Sequence, residues 1–213
     1  RGELQKVVKW LRKGGLVDAL CPTTSGSGRA TADTMLHAAA GNGQLEMVRE
    51  LLKRGASVDL PSSLGLTALM TAAGYGHLSI VLVLLQHSAD PDLQAIDGGT
   101  ALMEAALGGH EACVKALLRA KANPDLQSSD SDTALMWAAG GGQEACVQAL
   151  LRAKADPDLQ DTYGQSALML AAHPGRKACV QALLRAKVNT ELLDEDGRTC
   201  LLYTSPSPRD EVL

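Results

Sequence analysis

The feature that most constrains this chain is a period of 33 residues. The string Thr-Ala-Leu-Met recurs at 67–70, 100–103 and 133–136, and returns as Ser-Ala-Leu-Met at 166–169. Thr34-Met35-Leu36-His37 holds the same register upstream and Thr199 begins it again, so starts at 34, 67, 100, 133, 166 and 199 are each 33 residues apart. A unit this short cannot bury its own apolar face. Neighbouring units must stack to build a continuous core, which makes the array a solenoid.

The chemistry inside one unit is regular, as residues 98–127 (GGTALMEAALGGHEACVKALLRAKANPDLQ) show. Thr100 suits a helix N-cap, because its hydroxyl can accept from an orphan backbone N–H. A short helix over about Ala101–Leu107 follows, and Gly108-Gly109 breaks it. A second helix is predicted over about Glu111–Ala120, with Val114, Leu117 and Leu118 at helical spacing. Asn123-Pro124-Asp125 ends it, since proline cannot continue a helix and restricts the residue before it. Each unit thus reads as helix, turn, helix and a projecting turn-rich loop.

This pattern resembles the ankyrin repeat, which runs roughly D-x-x-G-x-T-P-L-H-x-A-A-x-x-G-H, a second helix, then G-A-D-V-N. Thr34-Met35-Leu36-His37, Gly76-His77, Gly109-His110 and Gly55-Ala56 carry the family's letters, and the resemblance covers residues 1–199. It implies an all-α solenoid of stacked helix-turn-helix units with projecting β-turn loops. Three departures are informative. Ala68, Ala101, Ala134 and Ala167 replace the family proline, and remain good helix formers. Met70, Met103, Met136 and Met169 replace the family histidine, which is expected to exchange its hydrogen bonds for apolar packing. Ser88, Lys121, Lys154 and Lys187 replace the glycine after the second helix, at up to about 1 kcal/mol each where the left-handed conformation is needed.

The ends depart from the period. Gly2–Asp18 aligns with Gly43–Asp59 at an offset of 41, which marks residues 1–18 as a partial unit followed by an eight-residue excess. That insertion lies within 19–33, and its Pro-Thr-Thr-Ser-Gly-Ser-Gly run has the composition of a flexible linker. Five full units occupy about 34 to 198. After Thr199 the register calls for another first helix, which Pro206 and Pro208 forbid. All eleven residues of Cys200–Asp210 also match one translated frame of the transposase adapter end common in sequencing libraries. Residues 200–213 are therefore expected to be an unstructured, non-native tail, with the array continuing in the gene.

Composition narrows the function classes. Aromatic residues make up 2% of the chain and phenylalanine is absent, so the core must come from Leu, Ala, Val and Met. A formal net charge of -4 without a basic stripe argues against nucleic acid. The longest obvious apolar run, Ile80–Leu85, is six residues, too short for membrane insertion. Cys21, Cys113, Cys146, Cys179 and Cys200 form no CxxC pair, and the middle three share one repeat position. Stacked helices lie roughly 8–10 Å apart, too far for a disulfide. Buried reduced thiols are the reading, which implies a reducing, intracellular (cytoplasmic) setting.

Catalysis, cofactors and metals find no support in the residues. His37, His77, His87, His110 and His173 show no ligand spacing of the HExxH kind. The resemblance implies loop-bracing roles for His37, His77 and His110. Gly140-Gly141-Gly142 and Gly108-Gly109 lack the strand before and the Lys-Ser/Thr after that a phosphate loop needs.

The units vary in two places. The loop tips differ at Leu64, Leu66, Ile96, Asp97, Asp130, Asp132, Tyr163 and Gln165, and the first helices at Thr71, Tyr75, Glu104, Leu107, Trp137, Leu170 and His173. In ankyrin arrays tips and first helices line the concave groove, so the resemblance places this set on one face. Trp137 and Tyr163 are its natural anchors. The other reading is drift among duplicated units, with Trp137 partly buried. The expected function is protein–protein interaction by a monomeric scaffold, with a partner the sequence does not identify. The alternative is a regulatory or substrate-docking appendage of a larger enzyme or channel.

Overall fold

A computed structural model describes residues 5–7, 9–10, 13, 15–24, 30–173 and 175–201. Five helix pairs follow one another: α1 Met35–Gly41 with α2 Leu45–Lys53, α3 Ala68–Gly74 with α4 Leu78–Gln86, and α5 Ala101–Leu107 with α6 Glu111–Arg119. The series continues with α7 Ala134–Gly140 and α8 Glu144–Arg152, then α9 Ala167–Ala172 and α10 Lys177–Arg185. First helices stack on first helices and second on second, which is the all-α solenoid that the period implies.

The core is a set of columns, one residue per unit. Leu51, Leu84, Leu117, Leu150 and Leu183, each 33 residues from the next, are all fully buried. Val48, Val81, Val114 and Val147 form a second column beside them. A third begins with Met47 and Ile80 and continues as Cys113, Cys146 and Cys179. The thiols thus stand where earlier units place a methionine and an isoleucine, and all three are free. Burial pushes them up from the ordinary 9.0, Cys146 to about 11.

The sign of this shift gives a pH dependence. Above about pH 9 the unfolded chain loses thiol protons that the native state retains, so native stability falls as pH rises from about 9 towards 11. Urea midpoints at pH 8 and pH 10.5 should show this loss. Its slope should be smaller in a Cys113→Ala/Cys146→Ala/Cys179→Ala variant, and equal slopes would rule the thiols out.

Helix starts are capped by side chains. Thr34, Thr67, Thr100 and Thr133 each accept from the N–H of the third helical residue, whereas Ser166 makes no such bond. His37 closes the first box. Thr34 N–H donates to its Nδ1, and its Nε2 donates to the Leu66 carbonyl at 2.8 Å. Burial lowers its pKa, consistent with a neutral ring serving both contacts. The methionines do more than the exchange of hydrogen bonds for packing anticipates. Met70 and Met136 accept from Thr67 N–H and Thr133 N–H through sulfur at 3.3 and 3.4 Å. A thioether is a weak acceptor and can never donate, so only the histidine's reach to the next loop is lost.

Second helices stop in the left-handed region. Ser88, Lys121, Lys154 and Lys187 have φ of 63°, 66°, 66° and 59°, where a Cβ is strained. Changing Ser88, Lys121 and Lys154 to glycine should therefore raise stability, by up to about 1 kcal/mol each. Urea denaturation measures it, and an unchanged or lower midpoint would contradict the strain.

Two side-chain ladders stitch the loops. Asp59, Asp92, Asp125 and Asp158 accept from the N–H groups of Asp90, Asn123, Asp156 and Asn189, each 31 residues on. Asp18 accepts from Ser57 N–H across 39 residues, so the eight-residue excess is looped out without breaking the ladder. Gln94, Gln127 and Gln160 each donate to a carbonyl four residues on and to another 33 residues on.

The insertion itself departs from expectation. Instead of a flexible linker, β1 Leu20–Thr24 and β2 Ala30–Thr34 pair antiparallel, Leu20 opposite Thr34 and Thr24 opposite Ala30. Threonines at 23, 24, 31 and 34 favour extended backbone, and the glycine-serine run within 25–29 lies outside the described residues. Residues 202–213, on which most of the tail reading rests, lie outside the described residues.

Candidate partner-binding face

The loop tips form a continuous edge because each is hydrogen-bonded to the next. Ile96 N–H donates to the Leu64 carbonyl, Ser129 to Asp97, Thr162 to Asp130 and Glu195 to Tyr163, at 2.9–3.2 Å. At the glycines the approach leaves little room for a Cβ. A Cβ on Gly98, where φ is 77°, would stand 2.6 Å from Ser129 N. At the equivalent place in the next tip Ser131 keeps a φ of 63°. Sequence reading passed over this position, although a serine in the register of Gly65, Gly98 and Gly164 marks it.

Each first helix packs against the one before it. Thr71 and Tyr75 project against Gly41 at the end of α1, Glu104 against Gly74 at the end of α3, and Leu170 against Gly140 at the end of α7. Small residues at those helix ends leave room for the next unit's larger ones. The turns between helices are braced across units. His77 Nε2 donates to the Gly41 carbonyl and His110 Nε2 to the Gly74 carbonyl at 3.0 Å, and Gln143 repeats the contact to Leu107 at 3.3 Å.

Apolar side chains remain uncovered along the edge: Ile96 is 74% exposed, Tyr75 67%, Tyr163 54%, Leu107 50% and Leu64 38%. Trp137 and Leu170 are half-buried, with one side against the core. Asp97, Asp130 and His173 are exposed. Asp132 is half-buried, and the nearby Trp137 indole favours its charged form. Three other site candidates serve the fold. Leu66 packs against the core, Thr71 donates its hydroxyl to the Thr67 carbonyl at 3.1 Å, and Gln165 closes its tip through its backbone N–H to Asp161. Asp161, absent from the sequence-derived set, accepts from both Tyr163 and Gln165 N–H at the same edge.

Charge is segregated across the array. The tips and first helices between 62 and 173 hold Asp97, Glu104, Asp130, Asp132 and Asp161. The Lys and Arg residues of that span are Lys115, Arg119, Lys121, Arg152 and Lys154, all in α6, α8 or the turns after them. Among the described residues none of the five carboxylates is ion-paired. Burial raises the pKa of Glu104, with the negative Asp97 adding to it. Burial likewise raises Asp132, opposed by the Trp137 indole and helped by Asp161 and Asp130.

Among the described residues no group of three or more His, Cys, Asp or Glu side chains could hold a metal ion, and no helix is long and apolar enough to cross a membrane. The family model for ankyrin repeats (3 copies) matches the chain over residues 2–95, 88–161 and 141–207. A comparison with curated proteins found no significant match.

Proposed function

The chain belongs to the ankyrin-repeat family, whose arrays are generally protein–protein interaction modules, and on that premise we propose that it captures a protein partner through its tips and first helices. What supports this reading is the exposure of Leu64, Ile96 and Tyr163 on hydrogen-bonded tips and of Tyr75 and Leu107 at the ends of first helices, the second helices exposing Leu82 and Leu184 less than any of these but Leu64. Trp137 and Tyr163 are the anchors, a half-buried indole and an exposed phenol on successive units. Their neighbours Asp97, Glu104, Asp130, Asp132, Leu170 and His173 set specificity around them. The module works as a monomer without catalysis, in the reducing interior of a cell that keeps its buried thiols unpaired.

The test is affinity capture from a lysate of the source cells with the wild-type chain and a Trp137→Ala/Tyr163→Ala variant. The variant should lose the specific binders while its helical circular dichroism is retained, because neither side chain belongs to the fully buried columns. Undiminished capture would remove the proposal. A catalytic or membrane domain encoded beside the array would instead favour the docking-appendage reading.

A further inference from the structure

The charge on the binding face specifies what kind of partner segment it takes. Its five carboxylates stand on three successive tips and on α5, and the Lys and Arg residues between 62 and 173 all lie in α6, α8 or the turns after them; Arg198 of the following tip is already paired with Asp194 and Asp196. Glu104 is the sharpest case. It is half-buried, with Asp97 beside it and the uncovered Leu107 one helical turn on, and its carboxylate is in no hydrogen bond or ion pair among the described residues. A carboxylate held partly out of water without a partner destabilises the free protein and is relieved by an incoming cation. One unit on, Asp132 combines a half-buried carboxylate with the Trp137 indole, a carboxylate-plus-aromatic setting suited to a guanidinium.

The spacing of these stations adds a register. Equivalent positions on stacked units are roughly 8–10 Å apart, and an extended chain advances about 3.3 Å per residue. Asp97 and Asp130 hold equivalent positions on adjacent tips, and Asp161 stands two residues before the third, so one cation for each tip means one in about every three residues. We propose that the face binds an extended segment of its partner bearing Arg or Lys at about every third position, with apolar side chains between them against Leu107, Trp137 and Leu170. This deepens the groove reading above and rests on it.

The test uses a fluorescein-labelled peptide of four Arg-Leu-Ser repeats, read by anisotropy against the full chain. Controls are the same peptide with Gln for Arg, with Glu for Arg, and with its arginines clustered at one end. The Arg peptide should bind at least about tenfold more tightly than each control. Glu104→Gln and Asp132→Asn should each weaken it by about tenfold, although neither removes apolar surface. Glu104→Gln should also raise Tm at neutral pH, because the raised pKa means that ionising Glu104 costs stability above its ordinary 4.5. A purely structural carboxylate would give a lower Tm instead.

Failure to bind the Arg peptide, equal binding of the Gln or clustered peptide, or unchanged affinity in both carboxylate variants overturns the inference. Preference for the Glu peptide overturns it as well. The groove reading is judged separately: binding of the Gln peptide that Trp137→Ala/Tyr163→Ala abolishes keeps the groove and rejects the cationic partner. Binding of the Arg peptide that this double variant leaves untouched rejects both.

Discussion

Replacing Leu117 by alanine is expected to destabilise the array by about 2–5 kcal/mol. The side chain is fully buried in the middle of a leucine column, with Leu84 on one side and Leu150 on the other. Truncation leaves a cavity between two stacked units, and neither neighbour can collapse into it without breaking its own register. Domains are commonly stable by only about 5–15 kcal/mol, so this one site holds a large share. Because each unit is stabilised by the ones it touches, the hole also weakens the coupling between the halves on either side of it. Urea titration followed by circular dichroism should show a lower midpoint and a broader transition. A loss below about 1 kcal/mol would mean that the column does not carry the stacking.

The second large effect concerns the thiols. At pH 8 Cys146 should react with iodoacetamide at least about 100-fold more slowly in the native chain than in urea, since a pKa near 11 in place of 9.0 removes that much thiolate before steric burial is counted. Labelling then requires opening of the array. Cys179, in the last helix pair among the described residues, should therefore be modified faster than Cys146, because outer units of an array open more easily. Mass spectrometry of the labelled peptides resolves the sites. Equal native rates at Cys113, Cys146 and Cys179, close to that of a free thiol, would contradict the closed core.

Much of the architecture was legible because it is written locally and repeated. The first helix expected over Ala101–Leu107 has those bounds, and the second ends at Arg119 rather than Ala120. The left-handed stops at Ser88, Lys121, Lys154 and Lys187 follow from the place where a glycine belongs. What stayed hidden depends on stacking. The Gln94, Gln127 and Gln160 ladder joins groups 33 residues apart, and nothing in Leu-Gln-x-x-Asp announces an amide that donates twice. The hairpin at 20–34 was masked by a glycine-serine run that reads as linker, while the pairing residues lie on either side of it.

The candidate face divides along the same line. Which positions vary could be read from the repeats, but not which side chains the fold already uses. Leu66 and Thr71 vary between units and yet their side chains serve core and helix, while Gln165 serves its turn through the backbone alone. The pairing of Asp132 with Trp137 and the closeness of Asp97 to Glu104 arise only when the tip folds back over its helix. Asp161 escaped notice because an aspartate at a turn has a structural explanation of its own, which its bonds to Tyr163 and Gln165 bear out.

The central claim, that one face of the array meets the partner, is tested most directly by site-specific photo-crosslinking. Benzoylphenylalanine is placed singly at Ile96 and Tyr163 on the tips, and at Leu82 and Leu184 on the second helices, all four being exposed positions. Irradiation in a lysate of the source cells should give the same discrete adduct from Ile96 and Tyr163 and none from Leu82 or Leu184. Adducts from the second-helix pair with nothing from the tips would place the partner on the opposite surface and contradict the account.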